Sequence, residues 1–228
     1  MLRVLNAKST LTMLCFAWAS VLHAGGPTPE AKNRIANPGF ESSSADWKLF
    51  LAPRTDSGPS QQPVFEVVND TKHTGNASAR LTSDVGERYA LKATGPAVDV
   101  APGQRYRVSA WVHFDENAHL AQEGRPGAYI RLTLSQVSGK DIDDPLLHMH
   151  ICLNGKAARS PAINKGVCNI YTLPKGWQKL EGVVEIPAGT KTITPELYVH
   201  GVVGAVNWDD VEMVEVSKSA PLSQMINE

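Results

Sequence analysis

Polar and aromatic side chains alternate with apolar ones along the stretch from Arg105 to Phe114, RYRVSAWVHF. Successive side chains of a β-strand point to opposite faces of the sheet. One face would carry Tyr106, Val108, Ala110 and Val112, and the other would carry Arg107, Ser109, Trp111 and His113. A tryptophan among basic and polar groups is unusual on a plainly solvated face, so the second face is a candidate ligand surface.

Two further stretches, Ala128 to Val137 and Thr192 to His200, predict strands whose outer faces are of the same kind. If these strands and the first one lie in a single sheet, their outward side chains combine into one groove. The predicted groove comprises Arg107, Trp111, His113, Tyr129, Arg131, Glu196, Tyr198 and His200.

The chemistry of this residue set suits a carbohydrate. Sugar rings present C–H patches that pack on aromatic faces, and their hydroxyl groups need paired hydrogen-bond donors and acceptors. Plainer interpretations remain open for each member. The segment 138–175 could cover Trp111 to form a second small core. The two tyrosines could be cross-strand partners that only stabilise the sheet. The arginines and the glutamate could form a surface ion network of little energetic consequence.

Catalysis is the alternative for the same side chains. Glycoside hydrolysis needs two carboxylates a few ångströms apart, and no ExDxE pattern occurs. A polysaccharide lyase would use a tyrosine and a histidine for acid–base chemistry and an arginine to neutralise a uronate carboxylate. The candidate residues for a lyase are His113, His200, Tyr129 and Arg131. His148 and His150 have a spacing that can hold a metal, but they lack an obvious third ligand, which favours a surface or loop pair.

The first 24 residues have the layout of a secretory signal peptide, with Arg3 and Lys8 before an apolar run and small residues at the end. The apolar run is too short for a membrane span. Loss of these two basic residues changes the formal net charge from −1 to −3. A mildly acidic chain with scattered charges has no electrostatic footprint for nucleic acid. We therefore expect a secreted protein, extracellular or periplasmic.

Two cysteines, Cys152 and Cys168, remain after the leader is removed. An even pair in an exported protein predicts one disulfide. No CxxC motif or Cys/His cluster accompanies the pair, which argues against a redox or metal role. The disulfide would lie inside the long irregular segment 138–175.

The chain shows no sustained helical periodicity, and β-branched and aromatic residues recur in short runs between Gly, Pro and Asn turns. This pattern predicts an all-β, antiparallel β-sandwich in a single domain from residue 33 to 216. A linker at 25–32 would precede the domain and a tail at 217–228 would follow it. Trp47, Trp177 and Trp208 are assigned to the core or to sheet ends.

Six motifs in order carry a resemblance to a known family. They are Asn37 to Glu41 (NPGFE), Trp47, His73 to Ser78 (HTGNAS), Pro102 to Tyr106 leading into Ser109 to Val112, Gly176-Trp177, and Asp209 to Val211 (DDV). Together they resemble carbohydrate-binding modules of the family 4/9/22 type. The resemblance covers Asn33 to Val216 except the insertion between the cysteines. It implies a jelly roll that binds a polysaccharide or oligosaccharide without a catalytic centre.

The resemblance also implies a structural Ca²⁺ ion. Its ligands would be Glu41, the turn containing Thr74 and Asn76, and Asp210 or Asp209. A hard cation requires several oxygen ligands, and two acidic positions at opposite ends of the domain could hold those ends together through it. The open alternative is that Glu41 and Asp210 bond only to backbone or to a basic side chain. The other functional hypotheses are a polysaccharide lyase or glycoside hydrolase, and a cell-surface adhesion module that binds protein.

Overall fold

The computed structural model describes residues 32–51, 62–136 and 148–227. The predicted signal peptide, nearly all of the predicted linker and residues 137–147 of the predicted insertion lie outside these ranges. Within the described residues, no helix has the length and apolar character needed to cross a membrane.

The described chain consists of short strands and one helical turn. In chain order they are β1 (Trp47–Leu51), β2 (Val64–Val68), β3 (Ser78–Ser83), β4 (Arg88–Ala93), β5 (Val98–Asp99), β6 (Arg105–Phe114), β7 (His119–Leu120), β8 (Gly127–Gln136), β9 (Met149–Cys152), β10 (Ala157–Arg159), α1 (Ser160–Asn164), β11 (Gln178–Glu185), β12 (Thr190–His200), β13 (Val202–Val216) and β14 (Met225–Ile226).

Two sheets form a β-sandwich of the jelly-roll type. The eight-stranded sheet has the order β1-β4-β12-β8-β9-β10-β14, with β5 paired to β12. The six-stranded sheet has the order β11-β6-β13-β3-β2, with β7 paired to β13. Neighbouring strands are antiparallel except for the short parallel pair β10 and β14. The predicted fold class is confirmed.

The core lies between the sheets and follows the predicted alternation. Tyr106, Val108, Ala110 and Val112 of β6 are at most 1% exposed. Leu132 and its apolar neighbours on β8 pack against them from the other sheet. Burial of such apolar surface contributes about 25 cal/mol per Å². Among the tryptophans, Trp47 and Trp208 lie in this core, and Trp177 precedes β11 at a sheet end.

The prediction of one continuous groove is wrong, because its three strands belong to different sheets. Strand β6 pairs with β11 and β13 in the six-stranded sheet, whereas β8 and β12 are neighbours in the eight-stranded sheet. Arg107, Trp111 and His113 therefore lie on one side of the sandwich, and the other five predicted residues lie on the opposite side. Alternation along a strand reveals which residues share a face, but it does not reveal which sheet contains the strand.

The predicted disulfide between Cys152 and Cys168 is confirmed. The residues from Cys152 to Ile170, called the disulfide segment below, include β10 and α1. The two half-cystines form a small apolar cluster with Ala158 and Ala162, on which Ile163 packs. Ile163 also packs against Tyr129 and Tyr198 on the outer face of the eight-stranded sheet. The disulfide segment therefore covers part of that face.

Candidate functional site

A row of charged and polar side chains crosses the outer face of the eight-stranded sheet. Strand register places Lys92, Glu196, Arg131 and His150 side by side on four adjacent strands. Lys92 Nζ lies 3.3 Å from Glu196 Oε1, and Arg131 Nε lies 3.7 Å from Glu196 Oε2. Arg131 Nε also donates a hydrogen bond to Nδ1 of His148 at 3.0 Å. Arg131 and Glu196 thus belong to an ion network, as one of the plainer interpretations held.

Tyr129 and Tyr198 face outward as predicted, but they do not form an open platform. Their rings stack with centroids 4.9 Å apart and planes inclined by 4°. Arg131 Nη1 donates to the hydroxyl of Tyr198 at 3.2 Å. Because Ile163 of the disulfide segment packs on them, the tyrosines are only 3% and 2% exposed. Burial raises the pKa of both phenols, that of Tyr198 to about 12.

An open pocket of about 360 Å³ lies beside the stacked tyrosines, and we call it the Tyr129 pocket. It is bounded by the starts of β4 and β8, the end of β12 and the disulfide segment. Tyr129 and Ile163 provide its apolar wall. Its polar lining comprises Arg88, Arg125, Lys165, Asn164, Asn169 and His200. No Asp or Glu occurs among the described residues that line it.

His200 is the one residue of the predicted groove, besides Tyr129, that lines this pocket. Burial, together with the positive charges of Arg88 and Arg125, lowers the pKa of His200 to about 4. The imidazole is therefore neutral near pH 7, with one nitrogen that donates a hydrogen bond and one that accepts. A neutral imidazole beside two guanidinium groups can bind hydroxyl groups and anions together.

His148 and His150 are buried, so the interpretation of a surface pair is wrong. Nδ1 of His150 lies 3.3 Å from the carbonyl oxygen of Ala158. Burial lowers the pKa of His150 to about 3, and Arg131 adds to the effect. Among the described residues, no three His, Cys, Asp or Glu side chains converge as a metal-binding group.

Trp111 lies on the opposite side of the sandwich, and His73 covers its ring. The two rings stack with centroids 3.8 Å apart. Trp177 meets the His73 ring edge-on at 5.5 Å and lies 5.4 Å from the His113 ring. We call these four residues with Arg107 the Trp111 face. The segment 138–175 was one candidate for covering Trp111, yet the stacking partner comes from the HTGNAS turn, which the sequence suggested only for calcium binding.

Two polar members of the Trp111 face lie near carboxylates. Arg107 Nη2 lies 3.1 Å from Glu212 Oε1. Nδ1 of His113 lies 3.6 Å from Asp115 Oδ1. Nε of Arg107 and Nδ1 of His113 are buried and have no hydrogen-bond partner among the described residues. The Trp111 face therefore keeps some hydrogen-bonding groups of its own, but His73 covers the ring that a sugar would stack on.

The residues predicted to bind calcium are brought together around one turn. The backbone N–H groups of Asn76 and Ala77 donate to Glu41 Oε1 at 2.8 and 3.1 Å. On the other side of the turn, Thr74 Oγ1 donates to Asp210 Oδ1 at 2.7 Å. The backbone hydrogen bond from Asn76 is the main reason that the pKa of Glu41 is lowered.

The neighbouring Asp209 is fully buried in the same region. Its Oδ2 accepts a hydrogen bond from the backbone N–H of His73 at 2.8 Å, and burial raises its pKa. Nδ1 of His73 lies 2.7 Å from Asp210 Oδ2. The acidic cluster of Glu41, Asp209 and Asp210 is therefore held by backbone N–H groups and one histidine. The alternative that Glu41 bonds to backbone agrees with these contacts.

Sequence reasoning missed the basic members of the Tyr129 pocket. Arg88 stands at the first position of β4, Arg125 precedes β8, and Lys165 follows α1. None of them lies within a long alternating stretch, so periodicity gave no signal. The sequence did hold one cue: Arg88 and Arg125 lie at or just before the starts of two strands, where loops join the sheet.

No protein-family model and no curated protein matches the sequence. Solved structures match its fold. The C-terminal family 22 carbohydrate binding module of Clostridium thermocellum xylanase 10B aligns at 13% identity with a TM-score of 0.50, covering 83% of this chain and 99% of the module. The enzymatically active domain of bacteriophage CBA120 tailspike protein 4 aligns at 15% identity with a TM-score of 0.52, covering 81% of this chain. This chain spans 21% of that tailspike chain. The resemblance stated from the motifs is thereby supported at the level of the fold.

Proposed function

We propose that this protein is a secreted carbohydrate-binding protein that holds a saccharide in the Tyr129 pocket. The observation that carries the proposal is the convergence of polar groups from four parts of the chain on one open pocket beside a tyrosine. The resemblance of the motifs to carbohydrate-binding modules points to the same class of ligand. The disulfide supports export, because disulfides persist in oxidising compartments.

The pocket has the chemical parts that a sugar ring requires. Its volume is near the lower end for small-molecule sites and suits one or two rings of a longer chain. The amides of Asn164 and Asn169 and the neutral His200 each donate and accept hydrogen bonds, which matches the paired character of sugar hydroxyls. Ile163, with the small exposed part of the Tyr129 ring beside it, offers apolar surface to C–H patches. Much of the ligand stays solvated, so affinity is moderate.

Affinity electrophoresis against a panel of neutral and acidic polysaccharides tests this proposal. The Asn164→Ala/His200→Ala variant is expected to bind at least about tenfold more weakly than the parent, a change of about 1.4 kcal/mol. Trp111→Ala distinguishes the two faces, because it removes an aromatic ring from the opposite sheet. Loss of binding in Trp111→Ala with full binding in the pocket variant would contradict the assignment. No binding by the parent would favour the adhesion-module hypothesis.

A lyase is the second candidate function, because Tyr129 and His200 share a pocket with two arginines. In β-elimination, a neutral imidazole can take the C5 proton of a uronate while a protonated phenol donates to the glycosidic oxygen. The other two residues of the predicted lyase set, His113 and Arg131, do not line this pocket. Incubation with alginate and polygalacturonate, followed by ultraviolet detection of unsaturated products, decides between binding and cleavage.

A structural Ca²⁺ ion at the acidic cluster is a further part of the proposal. Glu41 and Asp210 would supply carboxylate oxygens, and the turn containing Thr74 and Asn76 would supply hydroxyl, amide or backbone oxygens. The hydrogen bonds now made by these carboxylates leave further lone pairs. The ion would hold the start of the domain against β13 and would take no part in ligand binding.

A further inference from the structure

We infer that the Tyr129 pocket selects saccharides that carry an anionic group, either a uronate carboxylate or a sulfate ester. This inference rests on the proposed carbohydrate-binding function and names the class of sugar. The observation behind it is the excess of positive charge among the residues that line the pocket. Arg88, Arg125 and Lys165 line it, and none of its described lining residues is acidic.

Several arginines outside the pocket lie beside carboxylates. Arg80 Nη2 lies 2.6 Å from Asp70 Oδ1, and Arg105 Nε lies 2.9 Å from Glu185 Oε2. In contrast, Nη2 of Arg125 donates to the neutral amide oxygen of Gln122 at 2.8 Å. A neutral acceptor positions the guanidinium group but leaves its charge available to a ligand.

The position of Arg125 is fixed by its neighbours. Its carbonyl oxygen accepts a hydrogen bond from the N–H of Ile170 at 2.9 Å, which ties the start of β8 to the disulfide segment. Its side chain lies against Gly201, where a Cβ atom would collide with the Cβ and Cγ of Arg125. Gly201 directly follows His200. The fold therefore holds a guanidinium group beside the imidazole that lines the pocket.

His200 lies close enough to Arg88 and Arg125 for their charges to contribute to its low pKa. Burial is its largest cause, and the charges of Arg88 and Arg125 are the other two. A bound anion would offset these charges and raise the pKa of His200. The pKa of His200 in the parent protein therefore indicates whether the bound ligand is charged, and this measurement needs no substitution that could disturb folding.

Guanidinium groups bind carboxylates and sulfate-like oxyanions through paired N–H donors, and such charge-assisted bonds are stronger than neutral ones. The amides of Asn164 and Asn169 and the imidazole of His200 remain available for hydrogen bonds to the sugar hydroxyl groups. A neutral sugar would make only the hydrogen bonds to its hydroxyl groups and none of the charge-assisted bonds. The pocket therefore favours an acidic saccharide over its neutral counterpart.

Isothermal titration with matched oligosaccharides tests the inference. Oligogalacturonate, oligoalginate and an oligosaccharide of hyaluronan represent the carboxylate arm, and a sulfated galactan oligosaccharide represents the sulfate arm. Methyl-esterified oligogalacturonate and unsulfated galactan are their neutral counterparts. We expect an acidic ligand to bind at least about tenfold more tightly than its neutral counterpart, with affinity falling as salt screens the charges. The pKa of His200, followed by NMR, should rise on binding.

The variant Arg88→Gln/Arg125→Gln removes two positive charges while leaving a polar side chain that can still donate hydrogen bonds at each position. It should abolish the preference for the acidic ligand, whereas Arg34→Gln, an exposed arginine elsewhere on the domain, should keep it. Tighter binding of neutral glycans, or an acidic preference that survives in the double variant, would overturn the inference and leave carbohydrate binding intact. Absence of binding by any glycan, neutral or acidic, would instead refute the proposed function.

Discussion

At His200, an ordinary strand position becomes chemically distinctive because of residues distant in sequence. Alternation along β12 places its side chain on the outer face, as the sequence predicts. Arg125 reaches it from the segment before β8, and Arg88 reaches it from β4. The sequence thus indicates the direction of the histidine but not its partners, because loop packing brings those partners together.

Buried histidines make the fold sensitive to acid. An unfolded histidine has a pKa near 6.5, whereas burial holds that of His150 at about 3. Between these values the unfolded chain binds a proton that the folded chain excludes, so the free energy of unfolding falls as pH falls. For His150 we expect a loss of about 2 kcal/mol from pH 7 to pH 5.

Urea denaturation at pH 7 and pH 5 measures this loss. His150→Gln should reduce the difference between the two pH values, and His119→Gln at an exposed position serves as the comparison. A parent protein with the same free energy of unfolding at both pH values would contradict the assignment of a neutral, buried His150.

At the scale of elements, the disulfide segment determines which part of the outer face of the eight-stranded sheet is accessible to a ligand. The sequence predicted the Cys152–Cys168 bond from cysteine count, and it identified the segment as an insertion. It could not show that Ile163 would pack on the tyrosine pair, because an irregular segment carries no periodicity that points to a contact.

Removal of this disulfide should loosen the wall of the Tyr129 pocket. The bond closes a loop with a sequence separation of 16 residues, which corresponds to about 3 kcal/mol of stabilisation in the chain-entropy description. Cys152→Ser/Cys168→Ser should therefore lower the free energy of unfolding by this order and weaken saccharide binding. Equal urea midpoints and equal affinities for variant and parent would show that the segment holds its place without the bond.

The turn at Gly75 couples backbone conformation to the acidic cluster. Gly75 has φ of +60°, and a Cβ atom there would collide with the carboxylate of Glu41. We expect Gly75→Ala to destabilise the domain by about 1–3 kcal/mol. Gly103→Ala is a matched control, because Gly103 has φ of +74° and no atom lies near its Cβ position. If both variants lose the same stability in thermal denaturation, the contact with Glu41 contributes nothing.

At the scale of the whole molecule, the alternation of apolar residues was sufficient to predict a β-sandwich. It was not sufficient to assign β6, β8 and β12 to their sheets. In a jelly roll, successive strands often cross from one sheet to the other, and pairing depends on long-range contacts that no local pattern encodes. The predicted groove was split for this reason.

A calcium ion at the acidic cluster would join residues at opposite ends of the domain. Glu41 precedes β1, whereas Asp210 lies in β13. A ligand that binds only the folded state stabilises it by about 2.7 kcal/mol at a hundred times its dissociation constant. We therefore expect CaCl₂ to raise the midpoint of thermal unfolding and Glu41→Gln to remove most of that rise. Identical melting curves in calcium and in chelator would exclude a structural ion.

The residues after Val216 touch both sheets. The N–H of Ser223 donates to the carbonyl oxygen of Val183 on β11 at 3.0 Å, and Met225 pairs with Ala157 on β10. One strip of chain thereby caps an edge strand of each sheet, and uncapped edges are templates for pairing between molecules. We therefore expect the tail to limit pairing between molecules at these edges. A chain shortened after Val216 should remain folded yet self-associate, and light scattering of the two forms would reveal it.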